Sequence, residues 1–476
     1  VLALFRINDP FRLVLVALVA LLLRLPLFLT DGAGTVPQQH WLLLGEQLAA
    51  GKHLYLDVWD HASPLLAGLY WMLVEAFGKQ DWACWALAWA LLVYQAGLFN
   101  RMLVQKDVYN EKTYVPALLY VACASASPDF YLLSPALLST TFLLLMLRRV
   151  FELSDRNDRG SDEDIFSVGL YLGMATLAHF PTLAFLGVVV WGVGAFRAVG
   201  LRQLGLIAFG LAMPWCAVAL YYFYLDALPN FYQNYVLGNL LLSDVAFAGW
   251  ADVLWMQLVP VAVAVAGVLR AFSERGFVNF QVNCQRVMVV WMLCGLGALL
   301  IAPNFAVFHL LANVPAAAFF ATHYFLLFRR PVLMELAFLV LLALLAATGY
   351  GFVPERWKGK PWAPQAGTML RLPDRPWQEE GRKVLVLGVS PAHYRGNALA
   401  TPFLNWELAS DYLSMLDNYA VAASVQAYFA ADPPDLIVDQ ARLAPELFRH
   451  LPLLEAQYRP DPALPSVYRR DVPLPQ

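Results

Sequence analysis

Residues 11–29 read FRLVLVALVALLLRLPLFL, with charge only at Arg12 and Arg24. At 1.5 Å per residue such a helix reaches about 28 Å, close to the roughly 30 Å of bilayer hydrocarbon. The run is too long for a signal-peptide core and no small-residue cleavage site follows it. It therefore reads as a spanning helix that is retained. Comparable windows follow at 82–99, 113–129, 131–147, 165–180, 182–199, 203–224, 253–271, 287–302, 306–328 and 332–352. A further run at 64–78, PLLAGLYWMLVEAFG, is short and carries Glu75, so it either crosses, lies at the interface or re-enters.

The whole chain agrees with this start. Of its 476 residues 60% are hydrophobic and 14% charged, with a mean hydropathy of +0.56. Soluble proteins run near 45–50% and 25%. A soluble multidomain enzyme and a disordered chain are excluded, and a net charge of −3 offers nothing to nucleic acid. The five cysteines, Cys84, Cys123, Cys216, Cys284 and Cys294, lie in or beside apolar runs without a paired spacing and read as small apolar residues.

Basic residues set the orientation. With the N-terminus cytoplasmic and 64–78 not crossing, the basic loops from Arg101 to Arg330 all face the cytoplasm. The outer loops 30–62 and 226–252 then hold only Lys52. The expected fold is an α-helical polytopic membrane protein of about 11–13 spanning helices, multi-pass in a bacterial inner membrane, with its C-terminal part periplasmic. The expected division is a transmembrane domain at 1–352, with outer loops 30–63 and 226–252, a Pro- and Trp-rich linker at 353–380, and an α/β domain at 381–476. In that last domain KVLVLGVSP and DLIVDQ read as strands. TPFLNWELASDYLSML and LAPELFRHLPLLEAQY read as helices. In the first outer loop Trp41, Leu44 and Leu48 repeat at i, i+3 and i+7, the pattern of an amphipathic helix lying on the membrane surface. Phe231, Tyr232, Tyr235 and Trp250 give the second loop the aromatic character of a headgroup anchor.

The stretch that speaks to function is GEQLAAGKHLYLDVWDHASPLLAGLY, residues 45–70. Through Gly51, Tyr55, Asp57, Trp59, Asp60, His61, Pro64, Leu65 and Tyr70 it resembles the first outer loop of the GT-C glycosyltransferases. The order of parts is similar too: one helix, a loop with a surface helix, many more helices, then an outer α/β domain. The front loop and the stretches ATPFLNWELA and PPDLIVDQ also resemble uncharacterised polytopic membrane proteins of Bacteroidota.

The resemblance implies transfer of a sugar from a polyprenyl phosphate at the outer face. A loop carboxylate would activate the acceptor hydroxyl, directly or through a divalent metal, and a cation would neutralise the leaving phosphate. The sequence departs from the pattern at both points. Pro37-Gln38-Gln39 stands where an acidic pair is expected, and Ala62-Ser63 stands where Lys-Pro is expected. Glutamine does not accept a proton near neutral pH and alanine binds no phosphate. The candidates left for the carboxylate are Asp57 and Asp60, with Asp31 and Glu46 behind them. His61, Arg24, Lys52 and Tyr55 are the candidates for binding the lipid phosphate. No resident cofactor is expected, and a divalent metal enters only if the carboxylates act through one.

Three functions stay open. The first is a lipid-phosphate-sugar glycosyltransferase. The second is a non-catalytic GT-C-shaped subunit or scaffold of a cell-envelope complex, with membrane lipids and protein subunits as partners. The third is a secondary transporter, which would need broken helices and paired midplane charges.

Overall fold

The computed structural model describes residues 1–29, 35–153, 162–196, 200–240, 249–274, 276–302, 306–328, 330–350, 380–400, 402–462 and 464–471. Asp31 and the 353–379 part of the expected linker lie outside them. The chain forms two compact units. The first comprises Val1–Gly32, Trp82–Tyr224 and Asn239–Met369; the second comprises Ala33–Asp81, Leu225–Gly238 and Leu370–Gln476. The boundary expected at 352 divides the chain linearly, whereas these units draw on separated segments and join the front loop to the C-terminal domain.

The first unit is helical. Among the described residues five helices are long and apolar enough to cross a membrane: Asp81–Gln105, Leu201–Tyr224, Ala251–Ser273, Asn279–Ile301 and Pro331–Thr348. They cover five of the expected windows. Arg12–Leu29 and Pro135–Glu152 add 18 residues each. The 3₁₀ turns Pro128–Tyr131 and Phe180–Phe185 fall where expected windows meet, and a third, Val307–Asn313, lies inside the window 306–328. Prolines at the first two turns explain the breaks, since proline suits the first turn of a new helix and cannot continue an old one. Phe209, Leu220 and Phe223 stay exposed, as a lipid-facing surface requires. Helices Asp162–Ala178 and Leu201–Tyr224 touch backbone to backbone. A Cβ on Gly169 or Gly173 would collide with the carbonyls of Ile207 or Leu211, which is the small-xxx-small device of membrane helix pairs.

The second unit is α/β. Its sheet contains β1 (Lys383–Leu387), β2 (Ala398–Leu399), β3 (Leu436–Asp439), β4 (Tyr458–Pro460) and β5 (Val467–Arg470), in the order β2-β1-β3-β5-β4. β1 runs parallel to β2 and β3, while β5 is antiparallel to β3 and β4. β1 and β3 are the two strands expected from sequence, and both are buried apolar runs. The expected helix through Tyr458 stops earlier, at Ala444–His450 and Pro452–Glu455, and Tyr458 enters β4. The helix expected over 401–416 starts only at Trp406, because Asn405 caps it by accepting from the Glu407 and Leu408 amides. A further helix, Tyr419–Ala431, completes the layer.

The front loop belongs to this unit. Helices Val36–Ala49 and Pro64–Phe77 pack as a hairpin. The second has 14 residues and reaches about 21 Å, short of a full crossing. The first is buried on more than the single face that the Trp41, Leu44, Leu48 spacing predicts. Leu42, Leu43 and Gly45 are covered as well, because the hairpin partner and the 391–394 turn pack around it.

Candidate functional site

The front-loop motif is held by capped helix ends and a tight turn between them. Thr35 caps the first helix and Ser63 caps the second, accepting from the Leu66 amide at 3.0 Å. Helix capping therefore accounts for Ser63. Between the helices, residues 53–58 make a tight turn. The Tyr55 amide donates to Val58 at 2.8 Å, and the Asp57 carboxylate accepts from the His53 amide at 2.8 Å. Tyr55 adopts φ +68°, a left-handed conformation that costs a tyrosine about 1–3 kcal/mol and is kept only where its surroundings over-determine it. Those surroundings are present: its ring lies 5.7 Å from Phe231 and 6.2 Å from Tyr235. Its hydroxyl donates to the Ala62 carbonyl at 2.6 Å, and its own carbonyl accepts from Asn230 at 3.1 Å. Phe231 and Tyr235 are thus buried packing partners, while Tyr232 is exposed.

Trp59 fixes the loop to the C-terminal domain. Its amide donates to the Pro402 carbonyl at 2.9 Å, and its own carbonyl accepts from the Asn405 amide at 3.1 Å. Its indole stands edge-on to Phe403, Tyr412 and Tyr428, at 5.4, 4.8 and 5.7 Å.

Asp60 follows, 3% exposed. Its Oδ2 accepts from His40 Nε2 at 2.8 Å, and its Oδ1 accepts from the His61 amide at 2.7 Å and from Asn405 Nδ2 at 3.5 Å. Burial works against the Asp60 carboxylate, but His40 and His61 outweigh it and hold the group below its ordinary 3.8. Burial likewise opposes the His40 imidazolium, and Asp60 outweighs that too, lifting His40 above 6.5. The pair is an ionised carboxylate orienting an imidazole.

The other candidates are already engaged. Lys52 pairs with Asp432 at 2.9 Å, and Lys383 takes the other oxygen of that carboxylate at 2.7 Å. Burial opposes the charge on Asp432, but the two ammonium groups outweigh it and keep the group below 3.8. Glu46 pairs with Lys79 at 2.7 Å. His61 sets Nδ1 2.8 Å from the Asn234 carbonyl, against the π-helical turn Tyr232–Leu237. Gly238 leaves room for that ring, since a Cβ there would strike the imidazole. Where the acidic pair was expected, Gln38 donates to Asp81 at 2.5 Å. Gln39 keeps a buried amide nitrogen without a partner among the described residues.

Arg24 belongs to the helical unit. It is 1% exposed rather than extended toward headgroups. Its guanidinium donates to the Phe130 carbonyl at 3.2 Å and lies 4.7 Å from the centre of the Tyr131 ring. Nε and Nη1 have no partner among the described residues. In the same unit both carboxylate oxygens of Asp129 are buried without partners among the described residues, as is Oδ1 of Asp252, which interacts with Asp129 electrostatically. His179 and His309 stack there with 3.0 Å between ring nitrogens.

Sequence reasoning did not find His40 or Asp129. His40 sits 20 residues from Asp60 with no periodic link, and Asp129 closes the apolar window 113–129. The nearest signal for His40 was its position directly after the altered Gln38-Gln39 pair. The described loop carboxylates are already engaged and offer no open ligand set for a metal ion. The Asp60 oxygens are filled, Asp57 closes its turn, and among the described residues no three His, Cys, Asp or Glu side chains converge on one point.

No known family profile matches the sequence, and no curated protein does. Among solved structures the fold is similar to that of ArnT from Cupriavidus metallidurans, a crystal structure bound to undecaprenyl phosphate. The two share 12% identity with a TM-score of 0.50, over 70% of this chain and 64% of that one. The match thus spans less than two thirds of ArnT. At this identity the likeness establishes the fold alone: a mostly helical, ArnT-like architecture with a small five-stranded C-terminal sheet.

Proposed function

We propose that the protein is a glycosyltransferase that takes its sugar from a polyprenyl phosphate at the outer face of a bacterial inner membrane. The N-terminus is cytoplasmic and the C-terminal domain periplasmic, as the distribution of basic residues supports. The observation that carries the reading is the ArnT-like fold over 70% of the chain, found beside a front loop that resembles the GT-C motif. Arg24 is the cation best suited to the leaving phosphate. Its Nε and Nη1 are buried without partners among the described residues, whereas Lys52 is committed to Asp432. A buried guanidinium with two unused donors matches a phosphate better than a closed ion pair does.

The test is binding of undecaprenyl phosphate to the full chain in lipid nanodiscs, with undecaprenol as the control. The phosphate form is expected to bind at least about 10-fold more tightly, and Arg24→Gln to remove most of that difference. Equal binding of both lipids overturns the reading. The commitment of Glu46, Asp57 and Lys52 to internal partners favours a second reading, a non-catalytic subunit of an envelope complex. That protein would bind the lipid but release no sugar from any donor.

A further inference from the structure

We infer that His40, held by Asp60, is the proton acceptor of the reaction, in place of the carboxylate that the front loop lacks. The inference rests on the transferase reading above. Three observations carry it. Asp60 receives three donors on its two oxygens and is spent as a base. As an ionised carboxylate it only accepts, so His40 donates through Nε2 and keeps its lone pair on Nδ1. That nitrogen accepts no hydrogen bond among the described residues, and the His40 side chain keeps 23% of its surface exposed.

The step balances. The acceptor hydroxyl gives its proton to His40 Nδ1, and its oxygen forms a bond to the anomeric carbon of the donor sugar. The bond from that carbon to the phosphate oxygen breaks, and the polyprenyl phosphate leaves with the electron pair. Asp60 stabilises the imidazolium, which later returns its proton to solvent. Asp60 is a positioning residue: it fixes the tautomer and raises the basicity of Nδ1, the role a carboxylate plays behind an imidazole base.

Other titratable groups sit on the elements packed around the His40 helix. These are Tyr70 and Glu75 on its hairpin partner, and His393 and Tyr394 on the 391–394 turn. His61 adjoins Asp60, and Glu46 is closed by Lys79. Among the described residues His40 itself has one ion-pair partner, Asp60.

The test uses the full chain in nanodiscs, a panel of undecaprenyl phosphates carrying radiolabelled pentoses and hexoses, and water as acceptor. His40→Gln is expected to lower kcat by about 10²-fold or more while leaving KM for the donor within about two-fold. The wild-type rate should rise with pH through an inflection above 6.5, the ordinary histidine value. Asp60→Asn should move that inflection down by about one unit or more. Imidazole NMR of His40 in both proteins gives a readout separate from turnover and should show the same downward move. Wild-type turnover that survives His40→Gln, or a His40 titration indifferent to Asp60→Asn, overturns the inference and leaves the transferase reading standing. Wild-type protein that releases sugar from no donor overturns both.

Discussion

Asp60 and Asp129 are both almost fully buried carboxylates, one in each compact unit, and they are treated in opposite ways. Asp60 receives donors on both oxygens and has an imidazole opposite it; Asp129 receives none among the described residues. The contrast extends to their neighbours. In the α/β unit Glu46, Asp57 and Asp432 are closed by Lys79, the His53 amide and two lysines. In the helical unit Arg24 and Asp252 keep atoms without partners among the described residues. A buried polar atom without a partner costs about 1–3 kcal/mol, and more when charged. The acids of the front loop and Asp432 are thus spent on internal partners, while Arg24, Asp129 and Asp252 of the helical unit keep polar atoms without partners among the described residues.

The largest way to break this comparison is Trp59→Ala. It removes an aromatic shared by the loop and the C-terminal core and is expected to cost about 3 kcal/mol, seen as early melting of the α/β unit in thermal unfolding. Next, Asp60→Ala leaves His40 without its counter-charge and is expected to cost about 2 kcal/mol. Asp129→Asn, which removes an unmatched carboxylate, should leave the melting temperature unchanged or raise it. Equal losses in the two variants would erase the contrast.

Acid sharpens it further. Asp60 and Asp432 both sit below 3.8, so their contributions are complete above that pH and fade as the pH falls through their lowered values. His40 is raised, so its share is complete below 6.5 and fades as the pH climbs through its raised value. The stability of the α/β unit should therefore peak between 3.8 and 6.5, as tryptophan fluorescence against pH would report. The smallest effect is Lys52→Ala, at or below about 1 kcal/mol, because the ion pair is partly exposed and Lys383 still holds Asp432.

What could be read from sequence followed how local each signal is. Apolar runs such as 203–224 and 332–352 announce membrane helices because every residue of the run carries the message. The breaks at Pro128 and Pro181 fall where the expected windows already ended, at 129 and 180, whereas the turn Val307–Asn313 lies inside the window 306–328, contains no proline and was absorbed by it. β1 and β3 were legible as buried apolar strands, whereas β2, β4 and β5 have two to four residues, and β4 and β5 carry arginine, so pairing with neighbouring strands defines them. The front-loop motif pointed to Asp60 as a candidate but not to its partner. His40 and Asp60 meet through the turn of a hairpin, a tertiary event with no period along the chain. The exchange of Lys-Pro for Ala62-Ser63 was visible in sequence, and only the cap on Leu66 showed what Ser63 does.

Trp59 and its neighbour Asp60 bind partners near the far end of the chain; the contact from Asp60 to Asn405 spans 345 residues. At about 5–20 residues per second of synthesis, the loop emerges on the order of 17–70 s before the residues that complete its fold. Through that interval the loop stands as an unfinished edge whose own partners do not yet exist, and the arrival of residues 402–428 decides when Trp59 and Asp60 are sealed.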